Sequence, residues 1–238
     1  MFLRTAIWIA AVFCGRFAFG QFGPVSIGAK AGVPLSDAFE YKAQDSCGPT
    51  AAICSFINYS SKTKRYTVGP TVELRLPHGF GVEFDALYNR LNYDSYFVLR
   101  TPSSGLSTYF TSTAADRWSF PILLKWRHDV RRMSPFIDGG IAFDHISGVG
   151  SNFASFHRDF SGFVSQLNGS TSSPPEFTNP SSRGFVAGGG IDLHPLRHLR
   201  LTPEARYTRW FSENFDREPR AIFRTNLNEV SLLFGISF

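Results

Sequence analysis

Residues 65–88, RYTVGPTVELRLPHGFGVEFDALY, contain two stretches in which every second residue is apolar, joined by the short segment Pro77-His78-Gly79. Successive residues of a β-strand point to opposite faces of the sheet, so this alternation predicts strands with one apolar and one polar face. Pro and Gly in the short joining segment predict a tight turn. Residues 65–88 therefore predict an antiparallel hairpin. Its apolar face carries Tyr66, Val68, Pro70, Val72, Leu74, Leu76, Phe80, Val82, Phe84, Ala86 and Tyr88.

The same period-two alternation recurs along the chain and predicts eight strands of about ten residues, the length that crosses a bilayer at a tilt. The connections alternate between long segments and short turns, so all long loops gather at one end. This arrangement predicts an all-β protein, an eight-stranded antiparallel up-and-down transmembrane β-barrel with long loops outside the cell. The expected strands lie at 25–33, 65–76, 80–89, 117–127, 137–144, 185–193, 199–208 and 229–238, and the expected long loops at 34–64, 95–115, 147–182 and 212–225.

The composition supports a membrane barrel over a helical or nucleic-acid-binding protein. Aromatic residues make up 16% of the 238 residues, yet no internal apolar run is long enough for a spanning helix. The net charge is +5, but basic and acidic residues are interleaved and form no basic stripe, so no nucleic acid is expected as a partner. A chain that is rich in Phe without long apolar runs must alternate apolar and polar residues, as strands do.

The N-terminal residues predict export. A short basic start is followed by the apolar segment 5–13 and by Ala18-Phe19-Gly20, the small-x-small spacing of a cleavage site. Residues 1–20 are therefore expected to be a cleaved signal peptide and residues 21–238 the barrel domain. Cleavage would leave Cys47 and Cys54 as a pair, which predicts a disulfide in an oxidising compartment.

The polar face of the predicted strands carries charges of both signs in nearly equal number. Aromatic residues near the strand ends of the apolar face suit the two interfaces of a bilayer, and an eight-stranded interior is wide enough only for side chains. The apolar face should therefore contact outer-membrane lipids, and the charged face should fill the lumen with ion pairs. The expected network is Lys30, Glu73, Arg75, Glu83, Asp85, Lys125, Arg127, Asp138, Asp192, Glu204, Arg206 and Glu229.

With these features the sequence resembles the small outer-membrane β-barrel proteins of Gram-negative bacteria, of the outer membrane protein A and X type. The final strand ends in Phe238 with alternate apolar residues before it, similar to the C-terminal signature that the barrel-assembly machinery reads. The resemblance implies an outer-membrane location and makes the assembly machinery an expected partner. The matching positions of the expected assembly signal are Leu232, Phe234, Ile236 and Phe238.

The chemistry-bearing residues suggest no strong catalytic site. His145 and Ser147 would lie near the outer rim, where a His-Ser pair with a carboxylate could deacylate lipid A. We expect instead a non-enzymatic barrel without cofactors or metals, with a lumen closed to anything larger than water and small ions. Its long loops would contact an unknown ligand, and a soluble periplasmic ligand-binding barrel is a further alternative. The turn arginines Arg131, Arg132, Arg197 and Arg200 could contact phosphates of the inner leaflet.

Overall fold

The structure, a computed structural model, describes residues 25–48, 53–102, 105–128, 130, 133–196, 199–217 and 223–238. The expected signal peptide lies outside these ranges. Within them, no helix has the length and apolar character needed to cross a membrane. The regular elements are fifteen strands and one short 3₁₀ helix, Pro77–Gly79.

The strands in chain order are β1 (Val25–Pro34), β2 (Phe39–Tyr41), β3 (Gln44–Cys47), β4 (Cys54–Ser61), β5 (Thr67–Arg75), β6 (Phe80–Asp85), β7 (Leu87–Thr101), β8 (Gly105–Arg127), β9 (Met133–Arg158), β10 (Val164–Thr171), β11 (Ser181–Leu196), β12 (Leu199–Trp210), β13 (Asp216–Arg217), β14 (Phe223–Thr225) and β15 (Asn228–Ser237).

An eight-stranded antiparallel barrel closes because β1 pairs with β5 on one side and with β15 on the other. The circuit runs β1–β5–β6/β7–β8–β9–β11–β12–β15, in which β6 and β7 form one wall strand interrupted at Ala86. The interruption lies beside Pro70 of β5, which accepts a hydrogen bond from Ala86 but has no N–H to donate in return. The structure confirms the predicted fold class.

The short turns of the barrel gather at one end, which we call the inner end. The turn at 76–79 is tight because His78 and Gly79 both have positive φ values, 64° and 81°. Arg127 at the end of β8 and Leu196 at the end of β11 lie at the same end, as do the start of β1 and the end of β15. The opposite, outer end carries the long connections.

At the outer end, three wall strands continue far beyond the expected ten residues. β7, β8 and β9 run for 15, 23 and 26 residues, and their outer parts join β3, β4 and β10. The result is a six-stranded sheet in the order β3–β4–β7–β8–β9–β10, here called the external sheet. Residues 95–101 and 105–115 of the expected loop 95–115, and much of the expected loop 147–182, are therefore strand. The prediction missed them because Ser, Thr and Asn populate both faces there and remove the apolar alternation.

The outer mouth of the barrel is covered by a small second sheet. β2, from the first long connection, pairs with β14, and β14 pairs with β13, both from the last long connection. Their side chains pack with rings from the external sheet into a buried cluster that we call the aromatic cap. Its members are Phe39, Ile57, Tyr59, Leu91, Tyr93, Ala115, Ile146, Phe215 and Phe223.

Candidate functional site: a filled lumen beneath an external sheet

The two faces of the wall differ sharply in exposure. On the outer face, large apolar side chains lie open, with Phe84 43%, Leu124 55% and Ile137 63% exposed. On the inner face, Lys30 and Glu83 are each 2% exposed. A buried ion costs several kcal/mol unless it is paired. The lumen can therefore hold its charges only through the contacts described next.

The central cluster of the lumen is built around Glu83 of β6. Its carboxylate contacts the ammonium of Lys30, lies 2.6 Å from Nζ of Lys125 and lies 3.3 Å from Nη2 of Arg206. Nζ of Lys30 is also 2.6 Å from Oε2 of Glu204, and Nη2 of Arg206 is 2.9 Å from Oδ2 of Asp85. Each acid meets at least one base, and the contacts connect strands from opposite sides of the barrel.

The inner cluster lies near the short turns. Arg127 of β8 contacts Glu73 of β5, and its Nε is 3.3 Å from Oδ2 of Asp192 on β11. Arg200 of β12 completes the group, with Nη1 2.7 Å from Oε2 of Glu73. Arg200 also donates hydrogen bonds to the hydroxyls of two lumen serines. Two arginines and two carboxylates thus close the inner end of the lumen.

The outer cluster lies below the aromatic cap. Nη2 of Arg117 on β8 is 2.9 Å from Oε2 of Glu229 on β15, and Nε of Arg117 is 3.2 Å from Oδ2 of Asp144 on β9. The guanidinium also stacks on the ring of Trp210, 4.8 Å from its centroid. The indole N–H of Trp210 donates to Glu229 over 3.2 Å.

An apolar layer separates the outer cluster from the central one. Leu123, Ala142 and Val186 point inward from β8, β9 and β11 and pack with Trp210. Two cavities beside Arg117 have volumes of about 30 Å³ each, room for about one water molecule each. The described part of the lumen is thus filled by three ionic clusters and one apolar layer.

Most of the predicted lumen residues lie in these clusters, and two do not share in the ion pairing. Arg75 is an exposed residue at the inner end, and no ion pair to it occurs among the described residues. Asp138 is buried, but within the described ranges neither of its carboxylate oxygens has a hydrogen-bond partner. Gly188 lies directly opposite on β11 and leaves room for the Asp138 carboxylate, since a Cβ at Gly188 would lie 2.6 Å from Oδ1.

Sequence reasoning missed three partners, although their positions carried a signal. Arg117 and Asp144 fall on the polar side of the alternation but were left out of the predicted network. The sequence suggests for Arg200 either a contact with inner-leaflet phosphates or a solvated turn, yet it is 6% exposed and pairs inside the lumen. Alternate residues of a strand share a face, and Arg200 alternates with the lumen residues Glu204 and Arg206 on β12. This alternation, rather than the closeness of Arg200 to a turn, predicts its position in the lumen. The other three turn arginines, at 131, 132 and 197, lie outside the described residues.

The external sheet carries the predicted disulfide. Cys47 of β3 and Cys54 of β4 face each other across the strand pair and are joined by a disulfide. The bond ties the hairpin at the edge of the external sheet. Above the lumen, the hydroxyl of Tyr59 donates a buried hydrogen bond to Oε1 of Glu176, which links β4 to the third long connection.

The rim residues considered for catalysis do not form a triad. Nδ1 of His145 lies 3.0 Å from the hydroxyl of Ser181, and Ser147 lies opposite Asp116 in the strand register. No carboxylate forms an ion pair or hydrogen bond with His145 in the described part of the chain. The described residues also contain no group of three or more potential metal ligands.

The residues of the expected assembly signal point outward at the end of the chain, and all four side chains are exposed: Leu232, Phe234, Ile236 and Phe238.

Comparison with known proteins gives a family match over most of the chain. The family model "Outer membrane protein beta-barrel domain" matches residues 18–216. No curated protein matches the chain significantly in sequence. Among solved structures, the outer membrane protein OprG of Pseudomonas aeruginosa is similar, with 12% identity, a TM-score of 0.47, and coverage of 92% of this chain and 98% of OprG.

Two further solved structures are similar over their length. Neisserial surface protein A has 11% identity and a TM-score of 0.40, with 90% of this chain and 96% of that chain covered. Ail, the attachment invasion locus protein of Yersinia pestis, has 10% identity and a TM-score of 0.34, with 91% and 100% covered.

The filled lumen, the outward apolar wall and the closed eight-stranded circuit define an integral β-barrel of the outer membrane. The chain belongs to the outer membrane protein beta-barrel domain family. The family confirms the predicted outer-membrane location.

Proposed function

We propose that the protein is a non-conducting, non-enzymatic anchor that presents the external sheet for contact at the cell surface. The observation that carries this proposal is the continuation of β7, β8 and β9 from the barrel wall into the external sheet. The neighbouring rings of Tyr88 and Trp118, near the outer end of the lipid-facing wall, are here called the outer girdle. Beyond Trp118, β8 extends 13 residues to Gly105, about 43 Å at about 3.3 Å per residue. Holding these residues in strands costs conformational entropy that a flexible loop of the same length would keep.

Surface contact requires a projection that holds its shape. Rings from three elements fix the base of the external sheet, because Phe223 stacks on Tyr59 at a centroid distance of 4.4 Å and lies 4.5 Å from Tyr93. The disulfide fixes the β3–β4 edge. A preformed surface binds without the cost of ordering loops, which favours recognition through this sheet.

The proposal of a closed lumen rests on the ion clusters and the apolar layer. A conducting path would need water-filled space where the central cluster and Leu123 now pack. The alternative of lipid deacylation finds little support, because His145 pairs with Ser181 and not with Ser147. A soluble ligand-binding barrel would need its apolar face inside, where this protein has its charges.

The test compares bacteria that display the wild-type protein with bacteria that display a shortened variant. In the variant, residues 94–112 and residues 152–170 are each replaced by an Asn-Gly turn, which preserves the wall and removes the outer parts of β7, β8 and β9 with most of β10. Adhesion is measured on cultured epithelial monolayers and on wells coated with laminin, fibronectin or collagen. We expect adhesion of the wild type to at least one surface and its loss in the shortened variant, with both proteins still shifting on unboiled SDS gels.

Equal adhesion of both proteins, or adhesion of neither, would overturn the role of the external sheet. Planar-bilayer recordings test the lumen separately, and steady channel openings by the wild-type protein would exclude a closed lumen. Mass spectrometry of lipid A from cells with and without the protein tests the enzyme alternative. Loss of an acyl chain that depends on both His145 and Ser147 would replace our proposal with deacylation.

A further inference from the structure

The outward face of the external sheet carries a row of four aromatic rings, of which one is exposed and three are half-buried. Tyr96 of β7 and Phe110 of β8 face each other with ring centroids 4.9 Å apart. Phe56 of β4 extends the row on one side at 6.0 Å and Phe156 of β9 on the other at 6.2 Å. Phe110 is 47% exposed. Four strands therefore contribute one ring each to a continuous outward surface.

Beside this row lies an open groove of about 640 Å³, within the usual range for a small-molecule site, about 300 to 1,000 Å³. Its polar lining comes from amides, hydroxyls and one carboxylate. Among the described residues, no Lys or Arg lines it, and Asp94 is the only charged side chain of the lining. The lining that matters for recognition is Asn58, Asp94, Tyr96, Phe110, Asn152 and Asn168.

This lining selects a class of ligand. Aromatic faces carry partial negative charge and attract the weakly positive C–H groups of a sugar ring. Amides and a carboxylate can pair with sugar hydroxyls, since together they offer donors and acceptors. The absence of a basic lining residue disfavours phosphate or other anions, which need cationic partners. The combination fits a neutral saccharide.

The position of the groove indicates where that saccharide comes from. Phe110 and Trp118 are an even number of positions apart on β8, so their side chains point to the same face. The groove therefore lies on the same side of the sheet as the lipid-facing surface of the wall, beyond its outer end. The separation of eight positions between Phe110 and Trp118 corresponds to about 26 Å along the strand, or about 19 Å above the outer girdle at a tilt of about 45°. The groove opens sideways, away from the barrel axis. At that height it faces the sugars of glycolipids in the same outer leaflet.

We propose that this groove binds a neutral segment of the core oligosaccharide of neighbouring outer-leaflet lipopolysaccharide. Tyr96 and Phe110 would stack against the sugar rings, and Asn152 and Asn168 would pair with hydroxyls. This inference does not depend on adhesion to another surface, because its ligand belongs to the protein's own membrane. It gives the sheet a sugar-facing side distinct from the side packed against the aromatic cap.

The test uses the full-length mature protein in detergent micelles and a defined probe. The probe is the core oligosaccharide released from rough-type lipopolysaccharide by mild acid and then dephosphorylated. Binding is followed by saturation-transfer NMR and quantified by thermophoresis. We expect Phe110→Ala and Tyr96→Ala each to raise the Kd for the oligosaccharide at least tenfold. Tyr109→Ala is the matched control, because Tyr109 lies on the same strand, is 40% exposed and points to the opposite face.

Several results would overturn the inference. They are absence of saturation transfer to the sugar, equal binding by wild type and Phe110→Ala, or equal weakening by Tyr109→Ala. Stronger binding of N-acetyllactosamine oligosaccharides than of the core oligosaccharide would point to a host glycan instead. If a ring variant does not shift on unboiled SDS gels, Asn152→Ala supplies the same test through an exposed amide. These outcomes are independent of the adhesion assay, so either proposal can fail alone.

Discussion

Arg117 and Glu229 meet across the barrel, with Nη2 and Oε2 2.9 Å apart, although β8 and β15 lie on opposite sides of the eight-stranded circuit. The pair bridges the lumen below the aromatic cap. It is less enclosed than the central cluster, since the Glu229 side chain is 29% exposed. The bridge couples two walls that share no backbone hydrogen bonds.

We expect this bridge to appear as an energetic coupling in a double-mutant cycle of Arg117→Ala and Glu229→Ala. Residues in direct contact usually show coupling of about 0.5 to 3 kcal/mol. Urea unfolding of the protein in lipid vesicles measures the free energy of unfolding of all four variants. Strictly additive single losses would show that the contact contributes nothing, and the Arg224→Ala and Glu40→Ala cycle on the exposed pair gives the small-coupling reference.

Replacing Glu83 with Gln should be the most damaging isosteric change in the lumen. It removes the acid that contacts three bases. Lys30 and Arg206 keep other carboxylate partners, but buried Lys125 then has no ion pair left among the described residues. Breaking a buried ion pair from one side costs about 3 to 5 kcal/mol. The free energy of unfolding should fall by that amount, whereas Glu40→Gln on the surface should cost at most about 1 kcal/mol. Equal losses in both variants would contradict the role of the central cluster.

The wall strands approach so closely at Gly140 that a side chain does not fit. A Cβ there would lie 2.0 Å from the carbonyl oxygen of Ile122, a backbone atom that can move only with its strand. Gly140→Ala should therefore lower stability by about 1 to 3 kcal/mol, the usual cost of overpacking. Heating curves on SDS gels should show earlier loss of the folded band. Gly150→Ala is the control, because no atom lies within 4 Å of its Cβ position, and it should behave as wild type.

The Cys47–Cys54 disulfide should stabilise the β3–β4 hairpin without affecting the barrel. The bond closes a short loop at the edge of the external sheet, away from every ion cluster. Cys47→Ser together with Cys54→Ser should speed proteolysis near residues 48–53 and leave the Tm of the barrel unchanged. Mass spectrometry under oxidising and reducing conditions should differ by two hydrogens for the wild type only. A lowered barrel Tm in the double variant would show that the hairpin supports the wall.

The wall could be predicted from the sequence because lipid on one side and charge on the other impose a strict alternation. In β8, Trp118, Ile122 and Leu124 all point outward, as expected for residues an even number of positions apart on one strand. The same reasoning gave the central cluster its members, since an inward charge in a narrow barrel must be near others. The alternation does not predict which acid pairs with which base, because partners such as Lys30 and Glu204 are separated by 174 positions in the sequence.

The external sheet and the aromatic cap could not be predicted in this way. Above the membrane both faces of a strand meet water or sugar, so segments such as 105–114 need no apolar period. Phe39, Phe215 and Phe223 come from short segments with no periodic signal of their own, and only the closure of the barrel brings them together. Their aromatic character was visible in the sequence, but their partners depended on tertiary structure.

The seam between β1 and β15 has a consequence for how the protein matures. β1 has its second neighbour only when β15, the last strand of the chain, pairs with it. Without that pairing the wall is a sheet with two unpaired edges, and Lys30 faces an open gap. A chain interrupted before β15 would therefore present edges that can pair with other chains rather than form a smaller working barrel.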